Sequence, residues 1–397
     1  MAGARSDHVR RDGPVAAMKG SLLTPLAAST DVAEARIAPR GVLATATLSR
    51  SGDGIAYEAR LLHRAISDLA GSEARVIELG ASGAQPVALR ARVRFFTTLL
   101  RLQSLHRANW IVFTHVGIAR AQLRVPRGVR RPYAVFVNGV EAWSATLDSA
   151  RRAALHNARV RIAISPHTAR RVAAAHPDLP PIDTCLLSLL PDDEAPDRVP
   201  ADVRVDYGPH AVVIVGRMAS TERYKGHDQL LIAWPRVLAE VPDATLVMVG
   251  RGDDVDRLRT KAAALGIGRS VHFPGFLSDA ALRAVLRHTA VFAMPSRGEG
   301  FGLVYLQAMQ LGVPCLGSRD DAAGDVIVDG ETGLLVPHQD PDAIAGAIAR
   351  LLTDEPMRRR MGEAGRRRFD STFSYPRFRA RLGGILARAF PAPTRER

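Results

Sequence analysis

Short apolar runs alternate with longer amphipathic stretches from residue 41 onward. Each run has the length and content of a buried parallel strand. The runs of the first half are Gly41–Leu48, Arg75–Leu79, Trp110–His115, Tyr133–Val137 and Arg161–Ser165. Those of the second half are Ala211–Gly216, Ala244–Gly250, Val271–Phe273, Ala290–Pro295, Val313–Gly317 and Gly333–Val336. The stretches between them, such as Ile55–Ala70, carry an apolar stripe at helical spacing, which predicts an α/β protein.

Breaks in this pattern predict the domain organisation. Residues 1–40 have no sustained period, and we expect a disordered extension there. Residues 191–208 contain three prolines and six acids without a period, which is typical of a linker. They separate a first domain at 41–190 from a second at 209–375. Two parallel sheets covered by helices would face each other across a cleft at the carboxyl ends of their strands.

Composition excludes several classes of protein. Hydrophobic residues make up 47% of the 397 residues and charged residues 24%, as in ordinary globular proteins. Two cysteines cannot build a disulfide scaffold. No apolar run reaches the ~18 residues that a membrane-spanning helix needs.

The first strand of the second half leads into the motif VGRMASTERYKGHDQLL. Arg217 follows the strand, and Lys225 lies in the loop or at the start of the next helix. Two cations beyond a strand's carboxyl end, close to a helix N-terminus, suit a phosphate or diphosphate ligand. The alternative is a pair of solvated surface cations. Lys225 is one of only three lysines in the chain, which favours the functional interpretation.

A glycine-rich turn carries the second motif, PSRGEGFGLVYLQAM. Gly300 and Gly302 would let the backbone approach a ligand, with a short helix starting near Leu303 and presenting free amides. Glu299 is placed to accept hydrogen bonds from sugar hydroxyls, or it merely complements the helix dipole. Gln307 could bind a diol such as ribose, or it has no ligand.

Several motifs in a fixed order resemble one family. They are VGR, KGHD, PDATLVMVGRGDD, VHFPGF, MPSRGEGFGLVYLQAM, GVPCLGS and VDGETGLLV. Residues 211–370 look like the nucleotide-sugar domain of family 4 retaining glycosyltransferases, which include phosphatidylinositol and exopolysaccharide mannosyltransferases. Residues 41–190 resemble the family more loosely. The resemblance implies the GT-B fold, in which two Rossmann-like domains face each other across a cleft and a C-terminal helix (about 376–392) crosses back to the first domain.

The resemblance also implies roles for the charged residues. Arg217 and Lys225 match the pair that neutralises the donor diphosphate. Glu299 matches the first of two acids spaced eight residues apart, which contacts the donor sugar. The second acid, usually a ribose ligand, is Gln307 in this chain. This departure leaves nucleotide affinity and choice open.

Uncharged positions follow from the same resemblance. The loop that offers backbone amides to sugar and phosphate is Gly300, Phe301, Gly302 and Leu303. Gly275 and Phe276 match the loop against which the base rests.

In the first half, the resemblance is carried by three short segments. SGDGIAYEARLL matches a glycine-rich first loop, in which Gly52 and Gly54 would approach the diphosphate or the acceptor. VFTHVG places His115 at a strand end, where the family often has a histidine near the transferred sugar; the alternative is a structural histidine. NGVEAW begins with Asn138 where the family commonly has histidine, and no catalytic role is assigned to it.

The mechanism expected from this resemblance is retaining transfer without a metal. Asp192–Asp193 and Asp253–Asp254 do not form the Asp-x-Asp turn that holds a divalent cation in many glycosyltransferases. Cationic side chains and helix amides could perform the electrostatic role instead. We expect no metal and no other cofactor, with mannose from GDP-mannose as the favoured donor and a lipid-linked or saccharide acceptor.

Three competing functions remain to be weighed. A NAD-dependent oxidoreductase is disfavoured because VGRGDD lacks the third glycine of the dinucleotide fingerprint. A nucleic-acid-binding protein is disfavoured by an aromatic content of 5% and by the lack of a recognisable binding motif. A degenerate glycosyltransferase acting as a partner subunit is favoured only by Gln307.

Clustered arginines account for the net charge of +14. Residues 90–131 contain ten arginines and no acid, and residues 358–397 contain twelve arginines and three acids. If the last helix crosses back as in the family, both segments belong to the first domain's half. They would then attach the protein to the anionic inner face of the cell membrane as a peripheral cytoplasmic enzyme. The alternative is a solvated face above core leucines.

Overall fold

Two parallel β-sheets form the framework of this computed structural model. It describes residues 37–392 except 50–53, 81–86, 145, 192–198 and 200–202. Most of the expected N-terminal extension and of the expected linker therefore lies outside the described residues. Within these ranges each sheet has six strands, and helices connect successive strands.

The first sheet has the strand order β2-β1-β3-β4-β5-β6. Its strands are β1 Gly41–Thr45, β2 Arg75–Glu78, β3 Trp110–Phe113, β4 Tyr133–Val137, β5 Val160–Ala163 and β6 Ile182–Thr184. Its helices are α1 Gly54–Ala70, α2 Leu89–Ser104, α3 Val116–Leu123, α4 Val140–Trp143, α5 Ser149–His156 and α6 Pro166–Ala175. Strands β1, β3, β4 and β5 are buried along their whole length, because helices cover both faces of the sheet.

The second sheet has the order β12-β11-β10-β7-β8-β9. Its strands are β7 Ala211–Val215, β8 Thr245–Val249, β9 Val271–Gly275, β10 Val291–Met294, β11 Cys315–Ser318 and β12 Gly333–Val336. Its helices are α7 His227–Glu240, α8 Val255–Ala264, α9 Asp279–Arg287, α10 Leu303–Gln310, α11 Ala323–Val326, α12 Pro341–Thr353 and α13 Glu355–Arg368. A 3₁₀ helix, Ser220–Lys225, follows β7, and a π-helical turn, Phe369–Phe373, follows α13.

The last helix, α14 (Tyr375–Ala389), packs against the first domain. The Tyr375 hydroxyl donates to an Asp68 carboxylate oxygen on α1 over 2.6 Å. Just beyond α14, the Phe390 ring stacks on Trp110 of β3 with 5.1 Å between ring centroids. Helix α14 and Phe390 are therefore anchored to the first domain.

The second arginine-rich segment is divided between the two domains. Helix α13 carries six of its arginines and packs against α10 and α12 of the second domain, so the expectation that the whole segment belongs to the first domain's half is wrong. Several of these side chains bond to backbone carbonyls: Arg358 donates to Leu351 and Leu352, and Arg368 donates to Val326. Arginine supplies several donors on one planar group, and here these donors satisfy carbonyls at helix ends.

Among the described residues, no helix combines the length and the apolar character required to cross a membrane.

Candidate functional site

The charged residues of the second domain meet where β7 and β10 lie side by side. In this sheet the chain runs outward from β7 in one direction through β8 and β9 and then returns to place β10 on its other side. Such a reversal opens a crevice at the carboxyl ends of the two central strands, which is where α/β proteins bind ligands. Arg217 follows β7 and Glu299 follows β10, so both lie at this crevice.

Alternating charges connect these residues. Lys225 Nζ donates to Glu299 Oε1 over 2.5 Å, and each side chain is only 16% exposed. Glu222 lies between the cations: one carboxylate oxygen contacts Arg217, and the other is 3.9 Å from Lys225. Arg217 remains 51% exposed and faces solvent. Lys225 is therefore not a solvated surface cation.

The environment of Lys225 keeps its ammonium group charged. Burial by itself lowers the pKa of Lys225, but the Glu299 carboxylate and Tyr224 more than offset this, so the pKa is raised. Backbone geometry fixes the position of the side chain: Gly226 has φ +97°, and a Cβ there would lie 2.6 Å from the Pro295 carbonyl oxygen. Only glycine allows the chain to turn so close to the end of β10.

A buried acid, Asp321, holds the Glu299 backbone. Its carboxylate accepts hydrogen bonds from the Ser296 hydroxyl, from the Glu299 amide over 3.1 Å and from the Ala323 amide over 2.9 Å. Burial raises the pKa of Asp321 to about 7 against the opposing effect of the Ser296 bond. Sequence reasoning missed this residue, although an acid just beyond the buried strand β11 was a possible signal.

The glycine-rich loop leads into α10 as expected. Gly302 has φ +86° and precedes Leu303, the first residue of the helix. The Phe301 side chain is buried and packs edge-on against Phe373, so only its backbone can contact a ligand. Gln307 is partly buried on the same helix.

Backbone of the first domain touches this loop at Gly300. A Cβ on Gly300 would lie 1.8 Å from the Asn138 carbonyl oxygen at the end of β4. The Thr168 hydroxyl on α6 donates to the Gly300 carbonyl over 3.2 Å. Asp325 of the second domain accepts from the His167 amide over 2.6 Å. The loop therefore forms part of the contact between the two domains.

The expected base-binding residues follow β9. Gly275 has φ +79°, and the Phe276 side chain is 48% exposed. The Arg251 guanidinium, just after β8, lies over the Phe276 ring at 5.1 Å from its centroid. An exposed aromatic face with a planar cation beside it is suited to stacking on a nucleobase.

In the first sheet the reversal lies between β1 and β3, and His115 and Gly54 lie close to the ends of these strands. His115 caps α3: its Nδ1 accepts from the Gly117 amide over 2.9 Å, which places the ring proton of the neutral form on Nε2. Burial lowers the pKa of His115. Gly54 begins α1, and a Cβ there would meet no described atom within 4 Å. Gly52 lies outside the described residues.

Both aspartates of the second-domain pair have protein partners. Asp253 accepts from the Ser220 amide over 2.9 Å and from its hydroxyl, and Asp254 binds Arg223 and Arg257. The other pair, Asp192–Asp193, lies outside the described residues. Within the described ranges, no group of three or more His, Cys, Asp or Glu side chains is arranged to hold a metal ion.

Several known proteins are similar to parts of this chain. Residues 201–368 match the family described as glycosyl transferases group 1. The chain is 34% identical over 223 residues to a GDP-mannose-dependent alpha-(1-6)-phosphatidylinositol monomannoside mannosyltransferase of Mycolicibacterium smegmatis, covering 54% of this chain and 57% of that protein. It is 39% identical over 163 residues to a phosphatidyl-myo-inositol mannosyltransferase of Mycobacterium leprae, covering 40% and 42%. The matches thus span about half the length of these relatives.

Solved structures resemble the fold over more of the chain. Sucrose-phosphate synthase from Thermosynechococcus elongatus superposes with a TM-score of 0.72 at 22% identity, covering 88% of this chain and 98% of that one. The Anabaena protein HepE, in complex with UDP and glucose, superposes with a TM-score of 0.67 at 16% identity, covering 88% and 99%. The expected GT-B arrangement of two Rossmann-like domains is confirmed. Residues 201–368 of this chain are therefore similar to the group 1 glycosyl transferase family.

Proposed function

We propose that this protein is a retaining, metal-independent glycosyltransferase that moves a hexose from a nucleotide sugar to a lipid-linked or saccharide acceptor. The observation that carries the proposal is the Lys225–Glu299 pair beside Arg217 at the β7–β10 crevice. A cation fixed by an acid and a second, exposed cation are the groups that a departing diphosphate requires.

Charge stabilisation explains how the reaction would proceed. Breaking the bond between sugar and diphosphate leaves negative charge on the phosphate oxygens and positive character on the sugar. Lys225 and Arg217 stabilise the phosphate oxygens, with the free amides at the start of α10 as further donors. Because Lys225 is already held in place, little reorganisation is needed as the charge develops.

The proposed stereochemical route is front-face transfer. Glu299 is engaged with Lys225, and we assign it to hydroxyl groups of the donor sugar rather than to nucleophilic attack. The leaving phosphate oxygen would accept the acceptor's proton on the face where the new bond forms, which retains the anomeric configuration. His115, with its proton on Nε2, would donate to a hydroxyl of the transferred sugar.

The relatives' names favour GDP-mannose as donor, and mannose is the hexose we propose. Because HepE is in complex with UDP, the base is a question for direct measurement. Phe276 and Arg251 form the proposed stacking surface for that base. Gln307 would bind the ribose through its amide group.

We also propose peripheral attachment to the anionic cytoplasmic face of a membrane. Helix α2 buries Phe95 and Leu99 and exposes Arg90, Arg92 and Arg94. Exposed apolar side chains accompany these cations at its N-terminal end: Leu89 is 75% exposed and Val93 is 52% exposed. Cations next to exposed apolar residues on one helix suit an anionic lipid surface, which would bring a lipid-linked acceptor to the cleft.

A second candidate is a catalytically degenerate partner subunit that binds the nucleotide sugar without transfer. The replacement of an expected acid by Gln307 favours it, because a neutral amide binds ribose hydroxyls less strongly than a carboxylate. This candidate predicts nucleotide binding with no turnover on any acceptor.

Replacing Lys225 with alanine tests the first candidate. The proposal predicts that K225A lowers kcat by at least ~100-fold in a transfer assay with GDP-mannose and a lipid acceptor, because one preorganised charge is lost. K261A is the matched control, since Lys261 on α8 pairs with Asp228 and not with Glu222 or Glu299. Full activity in K225A would refute the assignment.

Transfer by the wild type would exclude the degenerate subunit. Thermal shifts measured with GDP, UDP and ADP would identify the base of the donor nucleotide.

A further inference from the structure

A polar pair formed by buried Glu58 and partly buried Asn138 lies behind the contact between the first domain and the Gly300 loop. Glu58 is on α1 and is almost completely buried, an unusual position for an acid. Asn138 directly follows β4, and its carbonyl oxygen is the atom that leaves no room for a Cβ on Gly300. The side-chain amide of Asn138 donates to Glu58 Oε2.

Two acceptor atoms of this pair have no partner. Among the described residues, neither Glu58 Oε1 nor Asn138 Oδ1 makes a hydrogen bond, although both atoms are buried. Leaving two such acceptors unsatisfied is unfavourable. One proton added to Glu58 would give both atoms a partner. The carboxylic-acid O–H could donate to Asn138 Oδ1, while the side-chain N–H of Asn138 donates to the other oxygen of Glu58.

The surrounding charges favour that proton. Burial raises the pKa of Glu58 well above its usual value, and the Glu141 carboxylate raises it further, while the Asn138 bond opposes the shift. Glu141 Oε1 accepts from the backbone N–H of Asn138 over 2.6 Å, so a second carboxyl group lies close by. On the other side lie the buried Cys185 and, beyond it, Arg381 of α14.

We propose that Glu58 is a neutral carboxylic acid in the folded protein and that it donates a hydrogen bond to Asn138 Oδ1. The acid and the amide then form a pair with two hydrogen bonds. This pair positions the Asn138 backbone against Gly300, which makes Glu58 a positioning residue for the donor loop. Only this consequence for catalysis rests on the proposed glycosyltransferase function; the protonation state does not.

Glutamine at position 58 is the decisive substitution, because its side-chain amide imitates the neutral acid and cannot ionise. At a pH above about 4.3, glutamate is ionised in the unfolded chain, so folding of the wild type takes up a proton at Glu58. Wild-type stability therefore falls as the pH rises from about 4.3 toward the pKa of Glu58 in the folded protein. E58Q avoids this loss. Its melting temperature should equal or exceed that of the wild type at pH 8, and the difference should shrink toward pH 4.5.

Infrared spectroscopy measures the proton directly. The wild-type minus E58Q difference spectrum at pH 7 should contain a carboxylic-acid C=O band. The wild-type minus E73Q spectrum, in which an exposed glutamate is replaced, is the matched control. E58L should melt below both proteins, since it leaves the Asn138 amide without a partner. In a transfer assay E58Q should retain activity and E58L should lose it.

An ionised Glu58 in the difference spectrum, or an E58Q protein that melts below the wild type at pH 8 or fails to fold, would overturn the proposal. These measurements need no sugar donor. They therefore stand or fall separately from the proposed function, whose failure would appear as a lack of transfer by the wild type.

Discussion

The buried carboxyl group of Asp321 makes stability depend on pH in a predictable direction. Its pKa is about 7 in the folded protein, against about 3.9 for aspartate in an unfolded chain. A raised pKa means that the native state binds a proton that the unfolded state releases. Stability is therefore lost as pH rises from about 4 to about 7, and the difference of about three units corresponds to about 4 kcal/mol.

The substitution D321N removes this titration, but it also removes one hydrogen-bond acceptor. The amide group cannot accept from every donor that Asp321 satisfies, so the Glu299 amide or the Ala323 amide is left unpaired. That loss costs about 1–3 kcal/mol at any pH. At pH 5 the titration contributes only about 1.5 kcal/mol, so the stability of the variant should lie between about 0.5 kcal/mol above and about 1.5 kcal/mol below that of the wild type. At pH 8 the term exceeds the loss, and the variant should be more stable by about 1–3 kcal/mol.

Calorimetry of the full chain between pH 5 and pH 8 tests this pH dependence. The stability difference should shift by about 2.5 kcal/mol in favour of D321N over this range. This shift is measurable, because each 1 kcal/mol changes the melting temperature of a domain as large as the second one by about 2–4 °C. D256N serves as the control, because it makes the same substitution at an exposed position on α8. A constant D321N difference across the range would refute the argument.

Three further predictions concern other parts of the molecule. G300A should abolish transfer because its Cβ would collide with a backbone oxygen of the first domain, whereas G346A, with open space around it on α12, should not lower the melting temperature. Q307E should lower the Kd for GDP, since a carboxylate accepts stronger hydrogen bonds from ribose hydroxyls; an unchanged Kd in calorimetric titration would place the ribose elsewhere. Replacing Arg92 and Arg94 with glutamate should reduce flotation with anionic vesicles and should not change flotation with neutral vesicles. Equal flotation of both proteins would rule out α2 as the contact.

Hydrophobic patterning was sufficient to predict the layers of this fold. All eleven apolar runs overlap a strand, because a strand covered on both faces must be apolar along its length. Several predicted strands extend too far, since apolar residues continue past the last ladder hydrogen bond; the first was expected to reach Leu48 and ends at Thr45. Strand β6 was missed because Ile182–Thr184 has only three residues and is only partly buried.

The candidate site was predictable only for charged residues that come directly after a predicted strand. Arg217 and Glu299 come from adjacent strands, so their meeting with Lys225 follows once β7 and β10 are neighbours. Glu222 and Asp321 were not predicted, because their roles depend on contacts between segments far apart in the sequence. The same applies to the arginines of α13, whose bonds to carbonyls cannot be read from net charge.

The backbone contact at Gly300 limits how this protein can be changed. Because main-chain atoms of two domains meet there, no other side chain can be exchanged to compensate for a larger residue at that position. Libraries designed to alter donor choice should therefore leave positions 138–139 and 300 fixed and vary the exposed residues around Phe276 and Gln307. The same reasoning predicts that natural variation in donor preference accumulates around the base and ribose and spares the loop that joins the domains.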